Sequence, residues 1–210
     1  MEIKVHDIIK FSNVDKLEHF TAVPEWVLNT AAASNYGVVR RMPISNKLIP
    51  IGLRGESREQ RFGTYIHEEN IVEVITPNSL VMCIDEFKKR IYYPTLKGLR
   101  DEFSKLNLSW GPTGSIGFEM ATNINVTSMK SDIDISLYIE SIDEELLKEV
   151  GRFIKTLDKQ IDVQVEIPII GAFLLNDYIR NYETGFIIRT PFGPQLCSIQ
   201  DRKIKVLAVN

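Results

Sequence analysis

The sequence predicts an α/β (α+β) chain of two parts, a mixed sheet with helices preceded by a smaller α+β N-terminal domain. Three observations carry this. Short apolar runs alternate along the chain with stretches of helical spacing. A basic run with a proline, "KKRIYYPTLKG" at residues 88–98, breaks the pattern once. The 210 residues are enough for a sizeable core in either part. The seam divides the chain into residues 1–93 and 94–210.

In the first part, "YGVVRR" and "LIPIGLRG" read as short strands separated by the turn-like "PISNK". "ESREQRFGTYIHEE" reads as a helix, with Phe62, Tyr65 and Ile66 on one side, and "IVEVITP" alternates like a strand. After the seam, Leu96, Leu99, Phe103 and Leu106 recur at helical spacing over residues 95–106. "LSWG" is a short strand and "SIGFEMAT" a helix; "DIDISLYIE" alternates as a strand. Ser141 with Glu144 forms a capping box before the helix "EELLKEVGRFIKTLDK". "IDVQVEIP" is a strand, "FLLNDYIRNY" a short helix, and "GFIIRT" and "KIKVLAV" are late strands.

Hydrophobic content of 44% and charged content of 25% are ordinary for a globular protein. A net charge of −3 argues against a general nucleic-acid binder. No signal peptide or membrane-spanning run is expected, so the sequence points to the cytoplasm and away from membranes. Cys83 and Cys197 sit in apolar neighbourhoods and read as buried free thiols.

Chemistry gathers in two places. Side chains on a strand repeat every two residues, so Asp132 and Asp134 of "SDIDIS" share a face, about 7 Å apart. Two like charges side by side favour a cation between them, and hard carboxylate oxygens suit magnesium. In "WGPTGSIGFE", Gly114 has no Cβ to keep a phosphate from the backbone, and Ser115 opens a helix whose free amides favour an anion. Gly117 keeps the first helical turn slim. "IDVQVEIP" places Asp162, Gln164 and Glu166 on one strand face, with Asp162 as a third carboxylate. Metals so held serve in-line displacement at phosphorus.

Bland readings compete with these. A solvated strand edge would explain the Asp132 and Asp134 pair, but Asp is disfavoured in strands. Glu166 reads equally as a supporting partner or a surface residue. Arg54, Arg58 and Arg61 could neutralise phosphates, Arg58 and Arg61 lying on one helical face, or could form a solvated basic face balanced by Glu56 and Glu59. Arg40 and Arg41 carry the same ambiguity. His6 reads as structural, and His19 and His67 as surface residues. Trp110 reads as core, and Arg189 either lines the site or sits beside a turn.

The motif of Gly-Ser, an acidic-hydrophobic-acidic strand and a further hydrophobic-Asp-hydrophobic strand resembles the DNA polymerase beta-like nucleotidyltransferase superfamily. The segments "HDIIKF", "PEWV", "VVRR", "IPIGLRGESREQRFG", "WGPTGSIGFEMAT", "SDIDISLYI", "IDVQVEIP" and "RTPFGPQL" together resemble the malonate decarboxylase holo-acyl-carrier-protein synthase family, also called phosphoribosyl-dephospho-coenzyme A transferases. One departure is Asn123, where the family pattern carries a Gly after "AT".

The resemblance implies a nucleotidyltransferase-type mixed sheet over residues 94–210, with residues 1–93 binding substrate or carrier. It implies transfer of triphosphoribosyl-dephospho-coenzyme A to a serine of the carrier subunit of malonate decarboxylase, with pyrophosphate leaving. Asp132 and Asp134 would hold magnesium, Asp162 would orient the acceptor hydroxyl, and Gly114, Ser115, Arg54 and Arg58 would bind the substrate phosphates. An ATP-using nucleotidyltransferase acting on another protein or a small molecule is the alternative. A silent binding module fits less well, since all three acids are present.

Overall fold

The structure is a computed structural model that describes residues 2–57, 59–87, 91–200 and 203–207, with the backbone alone at 30–33 and 203. The strands and helices run β1 (Ile8–Phe11), β2 (Leu17–Glu18), α1 (Glu25–Ser34), β3 (Tyr36–Val39), β4 (Leu48–Arg54), β5 (Arg61–His67), β6 (Ile71–Ile75) and α2 (Pro77–Leu80). They continue with α3 (Tyr93–Lys105), β7 (Ser109–Pro112), α4 (Gly114–Thr122), β8 (Ile133–Tyr138), α5 (Glu144–Ile154), β9 (Ile161–Ile167), β10 (Gly171–Leu174), α6 (Leu175–Asn181), β11 (Phe186–Thr190), β12 (Gly193–Gln200) and β13 (Lys203–Val206). Mixed α+β architecture is therefore observed, in two sheets. The first sheet has the order β2-β5-β4-β3-β1-β6, and the second β13-β12-β11-β10-β9-β8-β7.

The first sheet is antiparallel throughout. Its inner face is built by alternation: Ile9 and Phe11, Ile49, Ile51 and Leu53, and Phe62 and Ile66 form one apolar cluster with Val27 of α1. The expected helix over "ESREQRFGTYIHEE" is not there. Residues 61–67 form β5, paired with β4 from Leu48↔His67 to Arg54↔Arg61. Phe62, Thr64 and Ile66 are buried while their neighbours are not, a period of two. The β-branched and aromatic run Thr64-Tyr65-Ile66 favours that extended state, and Tyr65 points away from Phe62 and Ile66. Arg61 thus lies on a strand, opposite Arg54, and Arg58 lies outside the described residues.

In the second sheet only the β8–β9 pair is parallel, joined through α5. Ile133, Ile135 and Leu137 of β8 and Ile161, Val163 and Val165 of β9 join Leu96, Leu99 and Phe103 of α3 and Leu147, Val150 and Ile154 of α5 in the larger core. The cap of α5 differs from the expected box. Asp143 is the N-cap, its Oδ1 accepting from the Leu146 N–H at 3.1 Å, and Ser141 lies two residues before it. Residues ahead of the basic run belong with this second half. Asn78 donates to the Trp110 carbonyl at 3.2 Å, and a Cβ on Gly111 would meet the Pro77 carbonyl at 2.0 Å. Of the two thiols Cys197 is buried, but Cys83 is partly exposed.

The segment before β1 carries a buried acid. Asp7 is 2% exposed and accepts the Lys4 N–H at 2.8 Å. Burial pushes its carboxyl from 3.8 up to about 6, against the opposing pull of Lys4 and His6. A folded value above the unfolded one means the stabilisation is complete below about pH 4 and is lost as pH rises through about 6. Wild type should lose up to about 3 kcal/mol over that interval, less where water screens the group. Urea midpoints of Asp7→Asn should be flatter with pH. Parallel profiles for the two proteins would refute the assignment.

Candidate active site

Alternation gives the β8–β9 pair a second, polar face. The register sets Asp134 opposite Asp162, Ser136 opposite Gln164, and Tyr138 opposite Glu166. Neighbouring strands lie roughly 5 Å apart, so the Asp134 and Asp162 side chains leave the sheet side by side. Both are half-buried. Asp132 is exposed and lies one residue ahead of β8, where the incoming loop meets the strand.

Gly114 closes on this pair from β7. It opens α4 with φ +59°, the left-handed region that glycine tolerates. A Cβ there would lie 2.0 Å from Asp134 Oδ2, so the bare backbone at the start of α4 is pressed against the carboxylate. Thr113 supplies no side-chain cap, and its N–H instead bonds the Asp134 carbonyl at 2.8 Å. Half-buried Ser115 follows in the first turn, and Gly117 lets that turn approach the Pro112 carbonyl. The first-turn amides of α4 therefore begin beside Asp134 without a competing cap, as an anion site requires.

The loop from α4 to β8 is tied down on several sides. Glu119, buried, accepts from the Val126 N–H at 2.9 Å and from the Thr127 N–H and hydroxyl, both at 2.8 Å. Arg54 Nη2 donates to the Val126 carbonyl at 3.4 Å, and the Tyr92 hydroxyl to that of Ser128. Asn123 ends α4 with φ +57°, a left-handed C-cap. The departure from the family's glycine is thus absorbed, because Asn is the residue after Gly that accepts this conformation most readily.

The N-terminal half contributes Arg41 and His6 to the polar face of β8 and β9. Arg41 Nη2 donates to Glu166 Oε1 at 2.5 Å, and Gln164 Nε2 donates to the same oxygen at 2.6 Å. His6 Nε2 lies 2.5 Å from Gln164 Nε2 and 3.3 Å from Glu166 Oε1, while Arg189 Nη1 donates to Gln164 Oε1 at 3.2 Å. Burial pushes the Glu166 carboxyl up, but His6 and Arg41 outweigh it and hold it below the usual carboxylate range. Burial, with Glu166 and Asp7 nearby, pushes the Tyr138 hydroxyl up. The N-terminal half is thereby fastened over the polar face of β8 and β9. Period-two reading had put Glu166 on the Asp162 face; only its partners were out of reach.

The structure brings Gly114, Asp134 and Asp162 together, with Arg54 bracing the adjoining loop. It does not gather a ready-made metal cage: among the described residues no three His, Cys, Asp or Glu side chains could hold an ion between them. Two carboxylates with the rest of the shell from substrate phosphates is the usual magnesium arrangement, and Asp134 beside the bare Gly114 backbone fits it. We expect Gly114→Ala to cut activity about a hundredfold, because its Cβ displaces Asp134 and strains φ, while secondary structure by circular dichroism is kept. Wild-type rates would contradict this reading of Gly114.

Among the described residues no helix is long and apolar enough to cross a membrane. Comparison with known proteins identifies the family. The family model "Phosphoribosyl-dephospho-CoA transferase MdcG N-terminal domain" matches residues 4–77, and the corresponding C-terminal domain matches residues 79–200. A phosphoribosyl-dephospho-CoA transferase of Klebsiella pneumoniae (strain 342) is 32% identical over 197 residues, covering 91% of this chain and 92% of the relative. One from Pseudomonas putida is 29% identical, covering 92% of each chain, and one from Azotobacter vinelandii is 28% identical over 82% of each. No solved structure matches. With both halves matched in order and the relatives spanned nearly end to end, the chain belongs to the phosphoribosyl-dephospho-CoA transferase MdcG family.

Proposed function

We propose that this transferase, a phosphoribosyl-dephospho-CoA transferase by family, moves triphosphoribosyl-dephospho-coenzyme A onto a serine of the acyl-carrier subunit of malonate decarboxylase. The observation that carries the reading is Asp134 in register with Asp162 beside a glycine whose Cβ would strike the Asp134 carboxylate. Geometry of that kind suits displacement at phosphorus: amides of a helix N-terminus for the phosphates, and carboxylates at the reacting centre. The serine oxygen forms the new phosphodiester, the anhydride bond to the next phosphate breaks, and pyrophosphate leaves.

In this reading Gly114 and Ser115 bind the phosphate chain, Asp162 orients the acceptor hydroxyl, and Arg54 and Arg58 add positive charge from the N-terminal half. Asp132 and Asp134 would hold magnesium, which when bound neutralises charge on the phosphates. A nucleotidyltransferase-type ancestry for residues 94–210 accords with the strand pair and turn. Two free cysteines suit a cytoplasmic setting. Neither nucleic acid nor membrane has a part in the reaction.

The test combines the full chain, the carrier subunit, the triphosphoribosyl substrate and magnesium. Mass spectrometry should show the carrier gaining the prosthetic group, with one pyrophosphate per transfer. An unmodified carrier, with turnover of ATP in its place, would replace this reading with an ATP-dependent nucleotidyltransferase.

A further inference from the structure

Two glycines stand opposite each other in the middle of the first sheet. Gly52 of β4 pairs with Gly63 of β5, on the face turned away from the N-terminal core. Glycine inside a strand weakens it and commonly marks a place where another group approaches closely. Here that group is the side chain of Arg40, which leaves the sheet just after β3. A Cβ on Gly52 would sit 3.5 Å from the Arg40 Cγ and Cδ, and one on Gly63 would sit 2.0 Å from its Nη1. The stem therefore lies along Gly52 and the guanidinium rests on Gly63, a bed that any other residue at 63 would fill.

The bed holds a cation without a partner. Arg40 is exposed, and among the described residues its guanidinium makes no hydrogen bond or ion pair. Arg54 and Arg61, the next cross-strand pair on this face, add further positive charge. The face is one that meets the second half of the chain. Arg54 bonds the Val126 carbonyl in the loop leading to Asp132, and Arg41, next to Arg40, bonds Glu166 on the polar face of β9. Arg40 precedes one of these anchors in the chain and packs on β4, the strand that ends at the other. A planar fork held flat, with its donors unspent, suits the oxygens of a phosphoanhydride better than a point charge does.

We propose that Arg40, seated on Gly52 and Gly63, is a phosphoanhydride-binding residue on the face of the N-terminal sheet that meets the second half of the chain. The proposal rests on the function inferred above only for the identity of the ligand, which offers two such groups. One is the triphosphate that reacts; the other is the diphosphate bridge within the dephospho-coenzyme A portion. Neither alters the role of Arg40, and both can be presented separately.

Isothermal calorimetry on the full chain with inorganic tripolyphosphate, and separately with dephospho-coenzyme A, tests it. Arg40→Gln should weaken at least one of the two about tenfold, and Arg40→Lys should recover only part of the loss. Gly63→Ala should match Arg40→Gln although the arginine is still present, because the new methyl takes its seat. Loss for tripolyphosphate identifies the triphosphate, and loss confined to dephospho-coenzyme A identifies the bridge. Wild-type affinity of Arg40→Gln for both ligands overturns the inference, whatever Gly63→Ala does. Loss of binding in Arg40→Gln, alongside a wild type that modifies no carrier, supports the site while refuting the proposed function.

Discussion

Asp134→Asn should abolish transfer to the carrier protein, by at least about a thousandfold, while leaving the fold in place. The side chain changes by one atom in outline and loses its charge. Its strand stays paired on both sides, to β7 and to β9, and Ile133 and Ile135 stay in the core on either side of it. Only the chemistry should fail, because in the proposed reaction the carboxylate beside Gly114 would meet the phosphates and any ion they bring. The expected readings are a carrier of unchanged mass, a melting midpoint within a few degrees of wild type, and tripolyphosphate binding reduced only in the presence of magnesium. Asp162→Asn should be milder on nucleotide binding and should act on the acceptor step. Retention of even a tenth of wild-type transfer by Asp134→Asn would remove Asp134 from the site.

The part of this site that could be seen in the sequence is the part made by neighbours. Asp134 and Asp162 each alternate with apolar residues over six- and seven-residue strands, so period two sets each on the polar face of its own strand, while the register that puts them side by side comes from the pairing of β8 with β9. Gly114 is the first of the nine residues of α4, and its role follows from having no side chain. Helix α3 was legible because Leu96, Leu99 and Phe103 occupy one stripe and all three are buried. Strand β5 was not, since Phe62, Tyr65 and Ile66 satisfy a helical spacing, while Phe62, Thr64 and Ile66 satisfy an extended one over the same short run. The tie that decides it, pairing with β4, is non-local. The same holds for the contact of His6 with Gln164, which spans 158 residues, and of Arg41 with Glu166, which spans 125. A charge at position 166 announces a need for a partner but does not say which of 25 cations supplies it.

That partner should be worth measuring for its own sake, because Arg41→Met is expected to destabilise the chain by about 3 kcal/mol. Glu166 and Arg41 have side chains only 11% and 14% exposed, so deleting the guanidinium strands a carboxylate that burial already penalises. Glu166→Gln should cost less, on the order of 1–2 kcal/mol, since it keeps an oxygen for Arg41 and leaves no unpaired anion. Joining Arg41→Met with Glu166→Leu should recover much of the loss, giving a coupling of about 2 kcal/mol in a double-mutant cycle by urea denaturation. The sign with pH follows from the carboxyl being held below its ordinary value. Its contribution is present above the unfolded value near 4.5 and is lost as pH falls through the lower folded value. Wild type and Glu166→Gln should therefore converge in stability as the medium is made acid, and diverge again at neutrality. A strictly additive cycle would mean that the N-terminal half is held over β8 and β9 by something other than this pair. Coupling together with a raised KM for the triphosphoribosyl substrate in Arg41→Met would tie this ion pair to the proposed site, because the same N-terminal sheet carries Arg54 to the loop before Asp132.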